Sequence, residues 1–395
     1  MIGWEFPPHN SGGLGIACQG LTRALAKEQV HQVFILPKHL PIQTPYIEVL
    51  YPDSPFITQL HVNLQLYPYG GITAEQMTYL KRKNVTSHSM VDEAYEYAET
   101  VQFLAKNYSH DLIHSHDWMT YPAALSARSI SKKPVVMHVH STEYDRTLNG
   151  YINPAIVKIE SESLQRADKV IAVSHYTKGV ICDRYGIPDY RVEVVHNGVD
   201  LSDQQQFSIS DDEIRAFANG KKVVIFVGRL TCQKGPDYFI RIADRVTRAV
   251  PNALFVVAGN GDMYEQVVMQ SAGHRLTGKL LFAGFLRDRQ KELLYRRADL
   301  FIMPSVSEPF GIVALEAAAA HTPIIISKQS GVREVMLHSL VADFWDVDKV
   351  AGMAIDVLQN NDYQHYLAEQ CSREAERITW DNAAHKCVQV YHSMM

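Results

Sequence analysis

The chain has 395 residues, 46% hydrophobic and 21% charged, with 38 Lys and Arg against 43 Asp and Glu for a net charge of −5. That length favours two domains, each able to bury its own core, and the mildly acidic balance argues against a general nucleic-acid or polyanion binder. With 22 Gly and 17 Pro, collagen-like and low-complexity readings fall away. No apolar run reaches the ~18 residues of a membrane span, and no charged-then-apolar leader is visible at the start. Cys18, Cys182, Cys232, Cys371 and Cys387 are scattered without a C-x-x-C pair. They indicate neither a disulfide framework nor a zinc site, and they suit a reducing cytoplasm.

In chain order, short apolar runs alternate with amphipathic segments. Only three residues precede the Trp4-Glu5-Phe6-Pro7-Pro8 turn, which predicts a stubby first strand or residues upstream of Met1. Leu14, Cys18, Leu21 and Leu25 then fall on one helix face. Residues 41–108 are less regular, with several Pro and Tyr. Strands are predicted near 33–36, 112–113, 135–139, 170–173 and 192–195. A second set follows near 223–227, 254–258, 280–283, 300–303 and 323–326, with Ile242, Val246 and Val250 marking a helix. The runs are rich in β-branched residues and apolar on both faces, as parallel strands covered on both sides require. Their alternation with helices predicts doubly wound parallel sheets. The first set ends near His196-Asn197-Gly198-Val199-Asp200, a polar stretch spans 202–220, and the second set begins at Lys221. The boundary is placed at 197–200.

In open parallel sheets, ligands bind beyond the carboxyl ends of the strands, where loops enter helix N-termini. Most of the unusual residues sit there. Ser11-Gly12-Gly13-Leu14-Gly15 runs into a helix; its glycines let backbone N–H groups approach an anion that the helix dipole favours, although a tight turn uses the same residues. Residues 114–118 read His-Ser-His-Asp-Trp and residues 138–141 read His-Val-His-Ser. Residues i and i+2 on a strand share a face, so each H-x-H pair presents its rings together. No carboxylate set with ligand spacing accompanies them, and no metal is expected. Hydrogen-bonded strand-end histidines account for three of the four, leaving one for a sugar or phosphate.

Val227-Gly228-Arg229-Leu230-Thr231-Cys232-Gln233-Lys234-Gly235 places two cations in one strand-to-helix loop. A departing diphosphate requires fixed positive charge of this kind; two solvated surface cations are the plain alternative. Further on, Glu308 lies in a loop and Glu316 about two turns into a helix, roughly 12 Å further at ~1.5 Å per residue. Carboxylates so far apart cannot form a dyad on one bond. They are expected at different parts of a long ligand, Glu308 at a reacting sugar and Glu316 at ribose hydroxyls. A bare carboxylate among Ala314, Leu315 and Ala317 would be costly without a role. Gly259-Asn260-Gly261-Asp262-Met263-Tyr264 has Tyr264 in place of a third glycine and reads as a strand-end turn. Asp346-Val347-Asp348, far from the other motifs, reads as a chance D-x-D.

Together these segments resemble retaining glycosyltransferases of the GT-B fold, the family 4 or glycosyl transferases group 1 proteins, with glycogen and starch synthase features. The likeness covers nearly the whole chain: Trp4 through Gly15 (WEFPPHNSGGLG), HSHDW, residues 135–140, Val173-Ser174, HNGVD at 196–200, the loop from Gly228 to Gly235, and the E-x₇-E of Glu308 and Glu316. It implies two doubly wound Rossmann-like domains facing each other across a cleft. The N-terminal, acceptor-side domain would cover 1–197, with a C-terminal helix of about 380–395 crossing back. The nucleotide-sugar-binding domain would cover 198–379.

The resemblance also implies roles. Gly13 and Leu14 would cradle donor phosphates, and His140 would contact the transferred sugar. Arg229 and Lys234 would bind the diphosphate. Glu308 would lie at the sugar, with the backbone of Phe310, Gly311 and Ile312 on its hydroxyls, Glu316 on the ribose and Asp117 on the acceptor side. The implied activity is retaining transfer of a hexose, glucose first, from a nucleotide sugar such as ADP-glucose or UDP-glucose to a glycan or other hydroxyl acceptor. Glycogen synthase-like α-glucan elongation in the cytoplasm is included, with no cofactor and no metal. Bacterial glycogen synthases carry a Lys where this chain has Asn10, a departure that counts against an ADP-glucose glycogen synthase and leaves the transferase class intact. A nucleotide-sugar epimerase of the same fold would isomerise its substrate without extending a glycan. A non-catalytic nucleotide-sugar or glycan binder would have lost Glu308, Arg229 or Lys234, and all are present.

Overall fold

A computed structural model describes residues 1–10, 12–38, 42, 44–51, 89–147, 152–200 and 220–395. Ser11, most of the irregular 41–108 stretch and nearly all of the polar 202–220 stretch lie outside the described residues. The chain divides into two compact units. One comprises Met1–Tyr144, Tyr151–His196 and Asp381–Met395; the other comprises Asp145–Gly150 and Asn197–Trp380.

Unit 1 is built on β1 (Val33–Ile35), β2 (Glu48–Leu50), β3 (Ile113–His116), β4 (Val135–Val139), β5 (Lys169–Ala172) and β6 (Val192–Val194). β1 pairs with β2, and β3 to β6 pair in sequence order, all parallel. The stubby first strand is a single bridging residue: Ile2 pairs with both Ile35 and Ser115. Its N–H donates to the His114 carbonyl at 2.8 Å, and its carbonyl accepts from His116 N–H at 3.1 Å. Helices α1 (Gly13–Lys27), α2 (Met90–Asn107), α3 (Tyr121–Ser131), α5 (Pro154–Arg166) and α6 (His175–Tyr185) connect the strands; the boundary between the units falls within α4 (Glu143–Arg146), after Tyr144, and α13 (Trp380–His392) is the last helix, in this unit from Asp381 on. The expected face of α1 is the one that packs, with Leu14, Cys18, Leu21 and Leu25 buried. Every residue of β4 is buried, which explains why a continuous apolar run marks it.

Unit 2 contains β7 (Lys222–Val227), β8 (Ala253–Ala258), β9 (Leu280–Gly284), β10 (Leu300–Met303), β11 (Ile324–Ser327) and β12 (Leu340–Ala342). Its helices are α7 (Pro236–Ala249), α8 (Tyr264–Gly273), α9 (Asp288–Arg297), α10 (Ile312–Ala319), α11 (Val347–Gln359) and α12 (Asn361–Ala375). The parallel sheet runs β12-β11-β10-β7-β8-β9. Strand order reverses between β7 and β10, and such a switch point opens a crevice at the carboxyl ends of those two strands. α7 turns Phe239, Ile240, Ile242, Ala243 and Val246 to the core, while Val250 caps its end. Two edge strands, β2 and β12, were not anticipated. Each has three residues, too few to carry a period.

The long segment of unit 2 begins and ends at one place. Val199 bridges Thr379 and its N–H donates to the Ile378 carbonyl at 2.9 Å. A Cβ on Gly198 would overlap the Thr379–Trp380 peptide, so glycine is required by close approach there.

Candidate active site

At the switch point of unit 2, three loops pack backbone to backbone. The loop after β7 carries Gly228 to Gly235, the loop after β8 carries Gly259 to Gly261, and the loop after β10 leads to α10. Gly228 N–H donates to the Ala258 carbonyl at 3.0 Å and Leu230 N–H to the Asn260 carbonyl at 2.9 Å. A Cβ on Gly259 would overlap the Gly228 carbonyl, one on Gly261 the Leu230 carbonyl, and one on Gly235 the Pro304 carbonyl. Gly235 and Gly259 also sit at φ +63° and +148°, where a side chain is strained. The Gly259 turn is therefore more than a strand end: it is the wall against which the cationic loop is seated. Gly259→Ala is expected to destabilise unit 2 by at least ~1–3 kcal/mol. Gly273→Ala, at the end of α8 with nothing within 4 Å, should be near neutral. Parallel urea melts compare the two.

These contacts fix the charged residues. Gln233 accepts Val306 N–H on its backbone carbonyl at 2.9 Å, joining the first loop to the third. Lys234 Nζ meets Glu308 Oε2 at 2.5 Å, with side chains 19% and 6% exposed, and Ser305 Oγ stands 3.4 Å from the same oxygen. A buried pair of this kind is strongly coupled, because removing one partner strands the other. Arg229 is half-buried in the same loop. The Glu308 backbone is pinned on both sides: its N–H donates to the Gln329 carbonyl at 2.8 Å and its carbonyl accepts Gly331 N–H at 2.9 Å. Ser307 Oγ donates to Asp145 Oδ1 at 2.7 Å, both groups buried. Phe310 is buried, its carbonyl accepting Val332 N–H at 2.7 Å, and Gly311 precedes α10 at φ +113°.

Glu316 stands closer to its helix start than expected. α10 begins at Ile312, so Glu316 lies one turn in rather than two, because residues 307–311 are non-helical. Its carboxylate is not bare: Lys291 Nζ reaches Oε1 at 2.8 Å and the Tyr295 hydroxyl donates to Oε2 at 2.8 Å. Burial, reinforced by the Glu316 charge, pushes the Tyr295 hydroxyl well above the ordinary phenol range, so it remains a donor. Both partners come from α9, and nothing within the E-x₇-E segment signals them.

In unit 1, Gly13 opens α1 exposed, with nothing within 4 Å of a Cβ placed there. Leu14 is a core side chain, so only its backbone N–H faces a ligand role. The Gly12 N-cap offers no side-chain bond, but Glu5 Oε1 accepts Gly15 N–H at 2.9 Å. His140 is half-buried at the end of β4; burial holds its imidazole below the usual range, opposed by the Asp117 charge. Asp117 is 1% exposed at φ +61°, and its Oδ1 accepts the backbone N–H of His140 at 2.7 Å and of Ser141 at 3.2 Å. Asp117 thus fixes the backbone at His140 and Ser141. Asp346 caps α11 by accepting Lys349 N–H at 3.2 Å, and Asp348 pairs with Arg245 at 3.0 Å, which gives the D-x-D a structural role.

Comparison with known proteins gives this geometry a family. Residues 208–374 match Glycosyl transferases group 1 and residues 11–203 match Glycosyltransferase Family 4. An uncharacterised glycosyltransferase of Methanocaldococcus jannaschii is 31% identical over 100% of this chain and 98% of its own length. A glycogen synthase of Mycobacterium tuberculosis is 26% identical over 99% of this chain and 93% of its own. Among solved structures, sucrose-phosphate synthase from Thermosynechococcus elongatus superposes with a TM-score of 0.80 at 18% identity, covering 99% and 98% of the two chains. Anabaena HepE, crystallised with UDP-glucose, does so with a TM-score of 0.70 at 17% identity, covering 99% and 98%. The chain belongs to the glycosyl transferases group 1 family and has the GT-B fold.

Proposed function

We propose that this protein is a retaining hexosyltransferase that moves glucose from a nucleotide-diphosphate sugar, UDP-glucose or ADP-glucose, to a hydroxyl of a glycan acceptor. The observation that carries the reading is the seating of Lys234 against Glu308 at the strand-order reversal of unit 2. The UDP-glucose bound by HepE and the glycogen synthase relative support the donor and acceptor classes. Asn10 sets the chain apart from the ADP-glucose glycogen synthases of bacteria, so α-glucan elongation is one form of the proposal rather than its whole.

The division of labour follows from the charges. As the bond to the departing phosphate breaks, negative charge builds on the diphosphate, and Lys234 and Arg229 stabilise it. With donor bound, the Lys234 ammonium is shared between Glu308 and phosphate, so Glu308 sets the position of the cation as well as facing the sugar. The backbone of Phe310, Gly311 and Ile312 holds sugar hydroxyls, and Glu316, preset by Lys291 and Tyr295, accepts from the ribose. In unit 1, Gly13 and the Leu14 N–H serve donor phosphates and His140 the transferred sugar, with Asp117 fixing the His140 backbone. The acceptor proton passes to the departing phosphate oxygen on the same face of the sugar, which preserves the anomeric configuration. The cysteines are all free thiols among the described residues, consistent with a cytoplasmic site of action; no described helix is long and apolar enough to cross a membrane.

The test is incubation with a panel of nucleotide sugars and oligosaccharide acceptors, with the new linkage read by NMR. An α-linked product with release of nucleoside diphosphate is expected. An isomerised sugar without acceptor, or an inverted linkage, would overturn the proposal. Transfer is also expected to proceed without added divalent ions, because the diphosphate is served by side-chain cations. Rates in EDTA that recover only with magnesium or manganese would contradict this.

A further inference from the structure

The fold joins the two H-x-H pairs into one cluster inside unit 1. β3 and β4 are parallel and in register with His116 beside His138, so His114 and His116 on one strand meet His138 and His140 on the next. The rings of His114 and His116 stack with centroids 4.5 Å apart, and those of His138 and His140 at 4.2 Å. Three of the rings are at most 2% exposed. One ring nitrogen from each of His114, His116 and His138 lies within 4.8 Å of the other two.

We propose that His114, His116 and His138 form a site for one divalent late transition-metal ion, of the Zn²⁺, Co²⁺ or Ni²⁺ class. The first support is unsatisfied valence: Nε2 of His116 is buried and has no hydrogen-bond partner, a condition that native interiors avoid. The second is an outer shell already in place. His114 Nδ1 lies 2.6 Å from the Tyr391 hydroxyl and His116 Nδ1 lies 3.0 Å from His140 Nε2. Metal-bound imidazoles characteristically engage their second nitrogen in this way, which fixes the tautomer and turns the first toward the ion. His114 and His116 would therefore each offer Nε2, and His138 the third nitrogen.

The third support is the chemistry of the donor atoms. The donor set decides the ion. Imidazole nitrogen without carboxylate or carbonyl oxygen suits late d-block metals and not magnesium or calcium. Nitrogens about 3.3 Å apart surround a tetrahedral ion at ~2.0–2.1 Å. His114 Nε2 and His138 Nδ1, 3.1 Å apart, already approach that spacing. His140, the outer partner of His116, is also proposed at the transferred sugar, but none of the three ligands is assigned to the donor, so this inference does not rest on the proposed donor site.

The experiment uses the full chain freed of metal by chelator, titrated with Co²⁺ both in its native state and during refolding, since a buried site exchanges slowly. One Co²⁺ per chain is expected, with visible d–d absorption that Zn²⁺ displaces. Tyr391→Phe should weaken Co²⁺ binding about tenfold by removing the outer partner. His116→Gln and His138→Gln should each weaken it at least ~100-fold. Absence of saturable Co²⁺ binding to wild type in both titrations would overturn the proposal, as would undiminished binding in a folded His116→Gln, His138→Gln double variant. Should that variant not fold, wild-type stoichiometry and the Tyr391→Phe shift still decide, because ions held by scattered surface histidines would ignore Tyr391.

Discussion

Replacing Lys234 by alanine is expected to cut turnover by at least ~100-fold at saturating donor, the scale of losing one preorganised charge-stabilising group. The same change should also destabilise unit 2, by about 3–5 kcal/mol, because it leaves Glu308 with a 6% exposed side chain beside an empty position. Arg229→Ala should match the first effect. Lys234→Arg separates the two: it keeps the charge and much of the stability but moves the donor geometry, so it should recover folding more fully than turnover. Steady-state kinetics on nucleotide-sugar turnover, paired with urea melts, checks both. Near wild-type rates in both alanine variants would remove the diphosphate assignment.

The second large effect contrasts two carboxylates. Glu308→Gln should lower kcat by about 100- to 1000-fold while nucleoside diphosphate still binds, since the lost charge acts where bonds change. Glu316→Gln should instead raise KM, by about 10- to 100-fold, with a smaller loss in kcat, because ribose is unchanged through the reaction and its binding is uniform. Gln keeps the side-chain size and an acceptor for the Tyr295 hydroxyl, and Lys291, which loses its charge partner, has a side chain 28% exposed. Gross unfolding is therefore not expected from Glu316→Gln. Calorimetry with nucleoside diphosphate completes the comparison. Lost nucleotide affinity in Glu308→Gln and full affinity in Glu316→Gln would reverse the two roles.

What was legible in the sequence was whatever a local period encodes. The runs at 135–139 and 300–303 are strands with those bounds, because full burial on both faces leaves an unbroken apolar signature. Glycine and charge placement at loop positions led to the family and the GT-B fold. What escaped was tertiary. Gly259 and Gly261 looked like a turn because the backbone that touches them is 31 residues away in Gly228 and Leu230. The Lys291 and Tyr295 partners of Glu316 sit on another helix, so an apparently bare carboxylate turned out to be paired. The histidine cluster needed the register of β3 on β4, which no single H-x-H pair states.

The bridge between Val199 and Thr379 has a consequence for how the protein can be taken apart. Because residues 197–380 leave and return at one paired point, that segment has the topology of a cassette inserted into the rest of the chain. Its two ends can be cut together and the flanking ends rejoined by a short linker. The excised cassette would fold around its own six-stranded sheet, yet it would leave behind Asp145, the buried acceptor for Ser307. Ser307→Ala should therefore cost less stability in the excised cassette than in the intact chain, because the cassette has already lost the bond to Asp145.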